Sequence, residues 1–237
     1  MQVLILAGGQ GTRLKPFTNA IPKPLIPIGD MPILEVVLRQ LKYRGAERVV
    51  LAVNHLAQLI EAFFGNGGKL GLDISYSLED KPLGTAGPLR LIAPLDENFI
   101  VMNSDLFTTL DYADLFKSHK KSGAAATIAT FKKKVKIDLG VLKVVDGRLD
   151  DYIEKPTYDF TVSMGIYALN RRVVDFIPAE GKFDMPELIL KLHKAGERVD
   201  CYTGDFEWLD IGQVDDYEKA LELFLANRST YLPGENS

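Results

Sequence analysis

Apolar residues in the first half of the chain fall into short continuous runs separated by stretches of helical period. Segments 3–7, 48–53, 73–78 and 99–102 read as strands. Between the first two, Leu34, Val37, Leu38 and Leu41 share one helical face before Gly45, which predicts a helix over 33–44. A helix over 56–64 and another beginning near Thr85 continue the alternation. Strand and helix in turn predict an α/β, doubly wound sheet that is mainly parallel. Ligands of such sheets bind outside the carboxyl ends of the strands.

The second half changes period. Segments 125–131, 140–145, 149–153 and 162–169 read as strands, with the Asp146-Gly147 turn joining one pair as a hairpin, so the sheet is expected to be mixed. Helices are predicted over 185–195 and 214–226. In the last of these, Val214, Tyr217, Leu221, Phe224 and Leu225 form an apolar stripe suited to core or subunit contact, which leaves room for a homodimer. With no repeat or linker in the pattern, one domain is expected over 1–228, followed by a polar tail over 229–237.

Composition narrows the picture. At 237 residues, 46% hydrophobic and 25% charged, the chain can bury one large core or two close-packed lobes. A net charge of −4 argues against nucleic acid as a partner. The basic run Lys132-Lys133-Lys134 with Lys136 reads as a solvated hairpin end. A single cysteine, Cys201, excludes an intramolecular disulfide, and its neighbours Val199 and Tyr202 suggest a buried strand thiol. His55, His119 and His193 lack metal-ligand spacing and read as surface or cap residues. No run reaches the ~18 apolar residues of a membrane span and no basic region precedes the first strand, so no membrane partner and a cytoplasmic location are expected.

The chemistry is concentrated after the first strand, in Gly8-Gly9-Gln10-Gly11-Thr12-Arg13-Leu14 and Ile21-Pro22-Lys23-Pro24-Leu25. Glycines leave no Cβ between backbone and ligand, so several N–H groups can converge on one anion. Arg13 adds a fork that can grip two phosphate oxygens, and Lys23 a compact point charge. A dinucleotide fingerprint is excluded because Leu14 stands where its third glycine belongs, and because strand 48–53 ends at Asn54-His55 rather than at an acid. A P-loop is excluded because no lysine follows at its spacing. A plain strand-to-helix turn would account for the glycines but has no use for the two cations.

The segment 6–14 with Pro22-Lys23-Pro24-Leu25 resembles the opening of the sugar-phosphate nucleotidylyltransferases. The resemblance continues, in the family's order, through Pro82-Leu83-Gly84-Thr85-Ala86-Gly87-Pro88, Asn103-Ser104-Asp105, Glu154-Lys155-Pro156 and Trp208-Leu209-Asp210-Ile211-Gly212. The Pro-Leu-Gly-Thr-Ala-Gly form is most similar to mannose-1-phosphate guanylyltransferases and their guanylyl-transferring relatives. It implies a Rossmann-like nucleotidyltransferase fold with a sugar-binding extension, a nucleotide-binding half over 1–110 and a sugar-phosphate-binding half over 111–228. Nucleotide contacts are implied at Leu6, Ala7, Gly8, Gly9, Gly11, Thr12, Arg13, Lys23, Glu79, Pro82, Gly84, Thr85, Ala86, Asn103 and Asp105. Sugar-phosphate contacts are implied at Gly140, Glu154, Lys155, Ser163 and Gly165, and two metal carboxylates at Asp105 and Asp210. Leu139 and Ser163 depart from the Tyr and Asn common in relatives, which leaves the sugar open. Long-form relatives carry a C-terminal β-helix of hexapeptide repeats; none follows here, so a catalytic domain alone is expected.

The implied reaction joins two anions: a sugar 1-phosphate oxygen attacks the α-phosphorus of a nucleoside triphosphate, GTP by the closest resemblance, and pyrophosphate leaves in line. Since the second phosphate pKa is about 6, the nucleophile is ionised at neutral pH, so no Ser-His-Asp or Cys-His set is needed. Arg13, Lys23 and Asp105 are the expected catalytic residues, with Mg²⁺, or Mn²⁺ in its place, as cofactor. The same reaction with UTP, dTTP or CTP and another sugar 1-phosphate or phosphocholine, and a non-catalytic nucleotide-sugar-binding subunit, are the competing readings. Intact Arg13, Lys23, Asp105 and Asp210 argue against the second.

Overall fold

The computed structural model describes residues 1–9, 11–15 and 17–234. Gln10 of the glycine loop and the last three positions of the expected tail lie outside the described residues. Strand β1 (Gln2–Leu6) is followed by the short hairpin β2 (Pro27–Ile28) and β3 (Met31–Pro32), helix α1 (Ile33–Tyr43), β4 (Arg48–Val53), α2 (Ala57–Phe64) and β5 (Asp73–Leu78). Then come β6 (Asn98–Asn103), β7 (Leu106–Thr108), α3 (Tyr112–Ser122), β8 (Ala126–Lys136), β9 (Val141–Val145), β10 (Arg148–Ile153) and β11 (Thr157–Asn170). The chain finishes with α4 (Met185–Lys194), β12 (Val199–Thr203), β13 (Trp208–Asp210), α5 (Val214–Ala226) and α6 (Arg228–Tyr231).

Seven strands form one sheet in the order β12-β8-β11-β6-β1-β4-β5. Every pair in it is parallel except those of β11, which runs antiparallel between β6 and β8. The strands bury both faces because side chains alternate across the sheet. Thus Val3, Ile5, Ile100, Met102, Ile166 and Ala168 enter one core with Leu34, Val37, Leu38 and Leu41 of α1. Leu4, Phe99, Val101, Tyr167 and Leu169 enter the other with Leu188 and Leu192 of α4. A third, smaller core packs α5 and α6 against Phe107, Ile211 and the β2–β3 hairpin. This is the doubly wound, mixed and mainly parallel sheet expected. No helix among the described residues is long and apolar enough to cross a membrane.

Several local expectations change. The helix expected near Thr85 is a short 3₁₀ turn, Gly87–Leu91, and the Ala86 and Gly87 amides at its start are bonded to the Phe183 carbonyl. The lysines at 132–136 are solvent-exposed as expected, but they lie within the outer part of β8, paired with β11, rather than at a tight hairpin turn. Cys201 is exposed on the edge strand β12 rather than buried. His119 is buried on α3, with its Nδ1 2.8 Å from Thr127 Oγ1, and burial holds its imidazole below the ordinary value. Tyr231 and Leu232, read as part of a polar tail, are buried in the third core.

Candidate active site

Four adjacent parallel strands deliver polar groups at their carboxyl ends. Gly8 follows β1, Asn54 follows β4, Glu79 follows β5, and Asn103-Ser104-Asp105 closes β6. Together with Leu6, Gly9, Lys23, Pro24, Pro82, Gly84, Thr85, Lys182 and Asp184 they line a cleft of about 360 Å³. Larger surface hollows of about 550 and 650 Å³ lie elsewhere, but their arginines are tied to Asp96, Glu197 and main-chain carbonyls.

The charged end of the cleft is built by a second strand pair. β7 and β13 run antiparallel with Asp210 opposite Leu106, and the Ile211 amide donates to the Asp105 carbonyl at 3.1 Å. This register sets Asp105 and Asp210 side by side although they are distant in sequence. Lys23 Nζ bonds directly to Asp105 Oδ2, with both side chains largely buried. Asp210 is held above the ordinary carboxylate range, first by burial and then by the negative charge of Asp105, with Lys23 and Arg13 opposing. The Arg13 guanidinium flanks the pair, 3.5 Å from where a Cβ on Gly212 would stand.

Asp105 Oδ1 is buried and accepts no hydrogen bond. An unbonded, buried carboxylate oxygen beside a second carboxylate suits a hard divalent cation, whose remaining oxygen ligands a polyphosphate can supply. The two aspartates therefore fit such an ion. Among the described residues no group of three or more His, Cys, Asp or Glu forms a closed metal cage.

At the other end, Glu79 and the loop 82–88 make a polar wall. Glu79 Oε2 accepts from the Leu83 amide at 2.9 Å, while a Cβ on Gly8 would lie 3.2 Å from Oε1. Burial pushes the Glu79 carboxyl up, and the Leu83 hydrogen bond only partly offsets this. Asn54 Nδ2 donates to the Glu79 carbonyl at 2.7 Å and fixes the start of the wall. The loop's own amides are spent on the chain: Thr85 donates to Asp184 Oδ1 at 3.0 Å, and Ala86 and Gly87 both donate to the Phe183 carbonyl at 3.0 Å. Gly84, at φ +84°, is required by this clasp, since a Cβ there would meet Asp184 Oδ1 at 2.6 Å. Burial raises the Asp184 carboxyl, but the bonds from Lys182 and Thr85 bring it below its ordinary value.

The expected residues divide accordingly. Leu6, Gly8, Gly9, Lys23, Glu79, Pro82, Gly84, Thr85, Asn103 and Asp105 line the cleft. Gly11 stands behind Lys23, at φ +58°, where a Cβ would meet Thr18 at 2.8 Å. Ala7 and Ala86 are buried, and Thr12 is exposed outside the lining. On the sugar side, Gly165 backs onto Asn103, and Ser163 Oγ lies 3.0 Å from the Tyr167 hydroxyl. Gly140, Glu154 and Lys155 are not brought to the cleft. They belong to the exposed β9–β10 ribbon, where Glu154 accepts from the Tyr152 hydroxyl at 3.0 Å and its Oε1 lies 3.9 Å from Lys155 Nζ. Asn54, Ser104, Lys182 and Asp184 were not anticipated. For Asp184 a signal existed in Asp184-x-x-Glu187, a capping pattern, and the Asp184 amide does donate to Glu187 at 2.8 Å. Lys182 carries no such signal.

Residues 2–227 match the Nucleotidyl transferase family, and the chain belongs to it. It is 35% identical over 257 residues to a UTP–glucose-1-phosphate uridylyltransferase of Synechocystis, covering 99% of this chain and 66% of the relative. It is 36% identical over 245 residues to a mannose-1-phosphate guanyltransferase of Yarrowia lipolytica, covering 98% of this chain and 66% of the relative. The chain thus spans about two thirds of the length of these relatives. Among solved structures, HddC from Yersinia pseudotuberculosis complexed with GMP-PN superimposes with a TM-score of 0.71 at 27% identity, over 94% of this chain and 99% of that one.

Proposed function

We propose that this chain condenses GTP with a sugar 1-phosphate, mannose 1-phosphate or a related hexose or heptose, to give the nucleoside-diphosphate sugar and pyrophosphate. The observation that carries the reading is the convergence of Lys23 and Asp105, which line a glycine-walled cleft, with Asp210 and Arg13 beside them. A sugar-phosphate oxygen forms the new bond to the α-phosphorus while the bond to the bridging oxygen breaks and pyrophosphate carries the electron pair away. Repulsion between two anions is the obstacle, and cations fixed before the reaction lower it without reorganising. Lys23 and Arg13 are those cations. When bound, a divalent ion such as Mg²⁺ or Mn²⁺ would add charge neutralisation there, with Asp105 and Asp210 as its protein ligands.

Glu79 is the acceptor for a purine's N–H and amino groups, and Lys182, which lines the same cleft, can donate to its carbonyl. Asn103 and Gly165 mark the passage toward the sugar. Glu154 and Lys155 are assigned to the sugar hydroxyls and phosphate, an assignment that requires the β9–β10 ribbon to swing toward the cleft. The uridylyltransferase relative supports a second reading, the same reaction with UTP and glucose 1-phosphate.

The test is a matrix of nucleoside triphosphates against sugar 1-phosphates, read by pyrophosphate release, for the wild type and Asp105→Ala. Fastest release with GTP, abolished in the variant, is expected. Preference for UTP would overturn the guanylyl assignment alone, whereas no release from any pair would overturn the reaction.

A further inference from the structure

The strand pair that carries Asp105 and Asp210 is anchored from outside the cleft. Tyr231, at the end of α6, stacks its ring on Phe107 of β7, with centroids 3.9 Å apart and planes 22° from parallel. Its hydroxyl donates to the Glu207 carboxylate, immediately before β13. One side chain therefore links β7 to the residue that leads into β13. Gln40 of α1 completes the brace: its buried Nε2 donates to the Thr108 carbonyl at 3.0 Å and to the Tyr231 carbonyl at 2.9 Å. Between the strands, Thr108 Oγ1 donates to the Glu207 carbonyl at 2.6 Å, and the Glu207 amide donates to Thr109 Oγ1 at 2.9 Å.

A three-residue strand pair has few ladder bonds of its own, so its register depends on what is packed against it. Each carboxylate sits beside that register, Asp210 as the last residue of β13 and Asp105 just ahead of β7. A shift of the Glu207 end would change the spacing of the two carboxylates without altering either.

We propose that Tyr231 is a positioning residue that sets the separation of Asp105 and Asp210, and through it the affinity of the site for a divalent cation. The inference rests on the reading of these two aspartates as metal ligands. Groups hydrogen-bonded to metal ligands typically change affinity by about 10–100-fold when removed, and Tyr231, which acts one step further out through the strand pair, is expected at the low end of that range.

The test titrates Mn²⁺ alone onto the full chain, with free ion followed by electron paramagnetic resonance and folding by thermal denaturation. Tyr231→Phe keeps the stacked ring and removes only the hydroxyl, so Mn²⁺ affinity should fall by roughly tenfold. Glu207→Ala should weaken Mn²⁺ binding equally, the double variant no further, and Glu207→Gln, which can still accept from the hydroxyl, should stay near wild type. A Tyr231→Phe protein that melts lower but binds Mn²⁺ as wild type does would overturn the proposal and leave Tyr231 a packing residue. Weakening in Glu207→Gln without weakening in Tyr231→Phe would overturn it too, since charge rather than position would then govern the site. Wild type that fails to bind Mn²⁺, or Asp105→Ala that binds it equally, would overturn the metal reading and this inference with it.

Discussion

Glu79 is a carboxylate buried at 8% exposure whose charge is balanced by no cation among the contacts described, only by the Leu83 amide. Its raised pKa means that the native state holds the proton more tightly than the unfolded chain. The associated stability is present below the unfolded value and is lost as pH rises through the folded one. Glu79→Gln, whose amide oxygen can still accept from Leu83, should therefore raise the melting temperature at pH 7 and converge on wild type near pH 4 (approximately the unfolded carboxyl value). The same substitution should weaken GTP binding, because an amide is a poorer acceptor for a purine's N–H groups than a carboxylate. Scanning fluorimetry across pH, paired with a nucleotide titration, checks both halves; a melting temperature unchanged at pH 7 would show that the carboxylate is not under strain. The glycines and Asp105 were legible in sequence because each follows a strand whose pattern could be read, and Glu79 was implied by the family resemblance. Lys182 was not, and the capping pattern at Asp184 marks a helix start but not its bond to Thr85, since the two meet across 99 residues and no local pattern encodes a contact of that range.

Elements differ in how plainly they announce themselves. The central parallel strands β1, β4 and β6 are apolar on both faces and were legible nearly to the residue. β7 and β13, at three residues each, are too short to show a period and exist because tertiary packing pairs them. The ribbon arms of β8 and β11 also escaped notice, since a ladder exposed on both faces needs no apolar alternation. Within β11 the register slips between Ser163 and Tyr167, and the slip lets Gly165, at φ +74°, back onto Asn103 with only 2.7 Å between its missing Cβ and Asn103 Nδ2. Gly165→Ala should cost about 2–3 kcal/mol and reduce kcat/KM, because Asn103 must move out of the cleft wall. Gly147→Ala is the control: its φ is +76° but nothing stands within 4 Å of the added carbon, so only about 1 kcal/mol of backbone strain is expected, with activity intact. Equal losses of activity in the two variants would detach the slip from the site.

On the scale of the molecule, the division into a nucleotide half over 1–110 and a sugar half over 111–228 does not coincide with a division of the structure. β11 pairs with β6 along one edge and β8 along the other, so a single sheet crosses the boundary. The larger core likewise draws Ile100 and Met102 from one half and Ala129, Ile166 and Ala168 from the other. Unfolding should accordingly be one cooperative transition. Trp208 is the single tryptophan, packed on Phe131 with its Nε1–H bonded to the Met164 carbonyl at 3.1 Å. Its fluorescence and the far-ultraviolet circular dichroism should give coincident denaturant midpoints. Separated midpoints would mean that the halves melt independently.

The clasp between residues 83–87 and 183–185 also bears on how such a protein can change. Apart from the Leu83–Glu79 bond, the bonds that fix the loop 83–87 run to the segment leading into α4, and Gly84 has room only for the backbone that Phe183 and Asp184 present. Substitutions that reshape one segment are therefore filtered by the other, and the two are expected to drift as a matched pair along a lineage. A loop transplanted alone from a relative would arrive with its amides aimed at carbonyls that the host does not supply. If the loop reads the base as proposed, base preference is inherited in two pieces that must travel together.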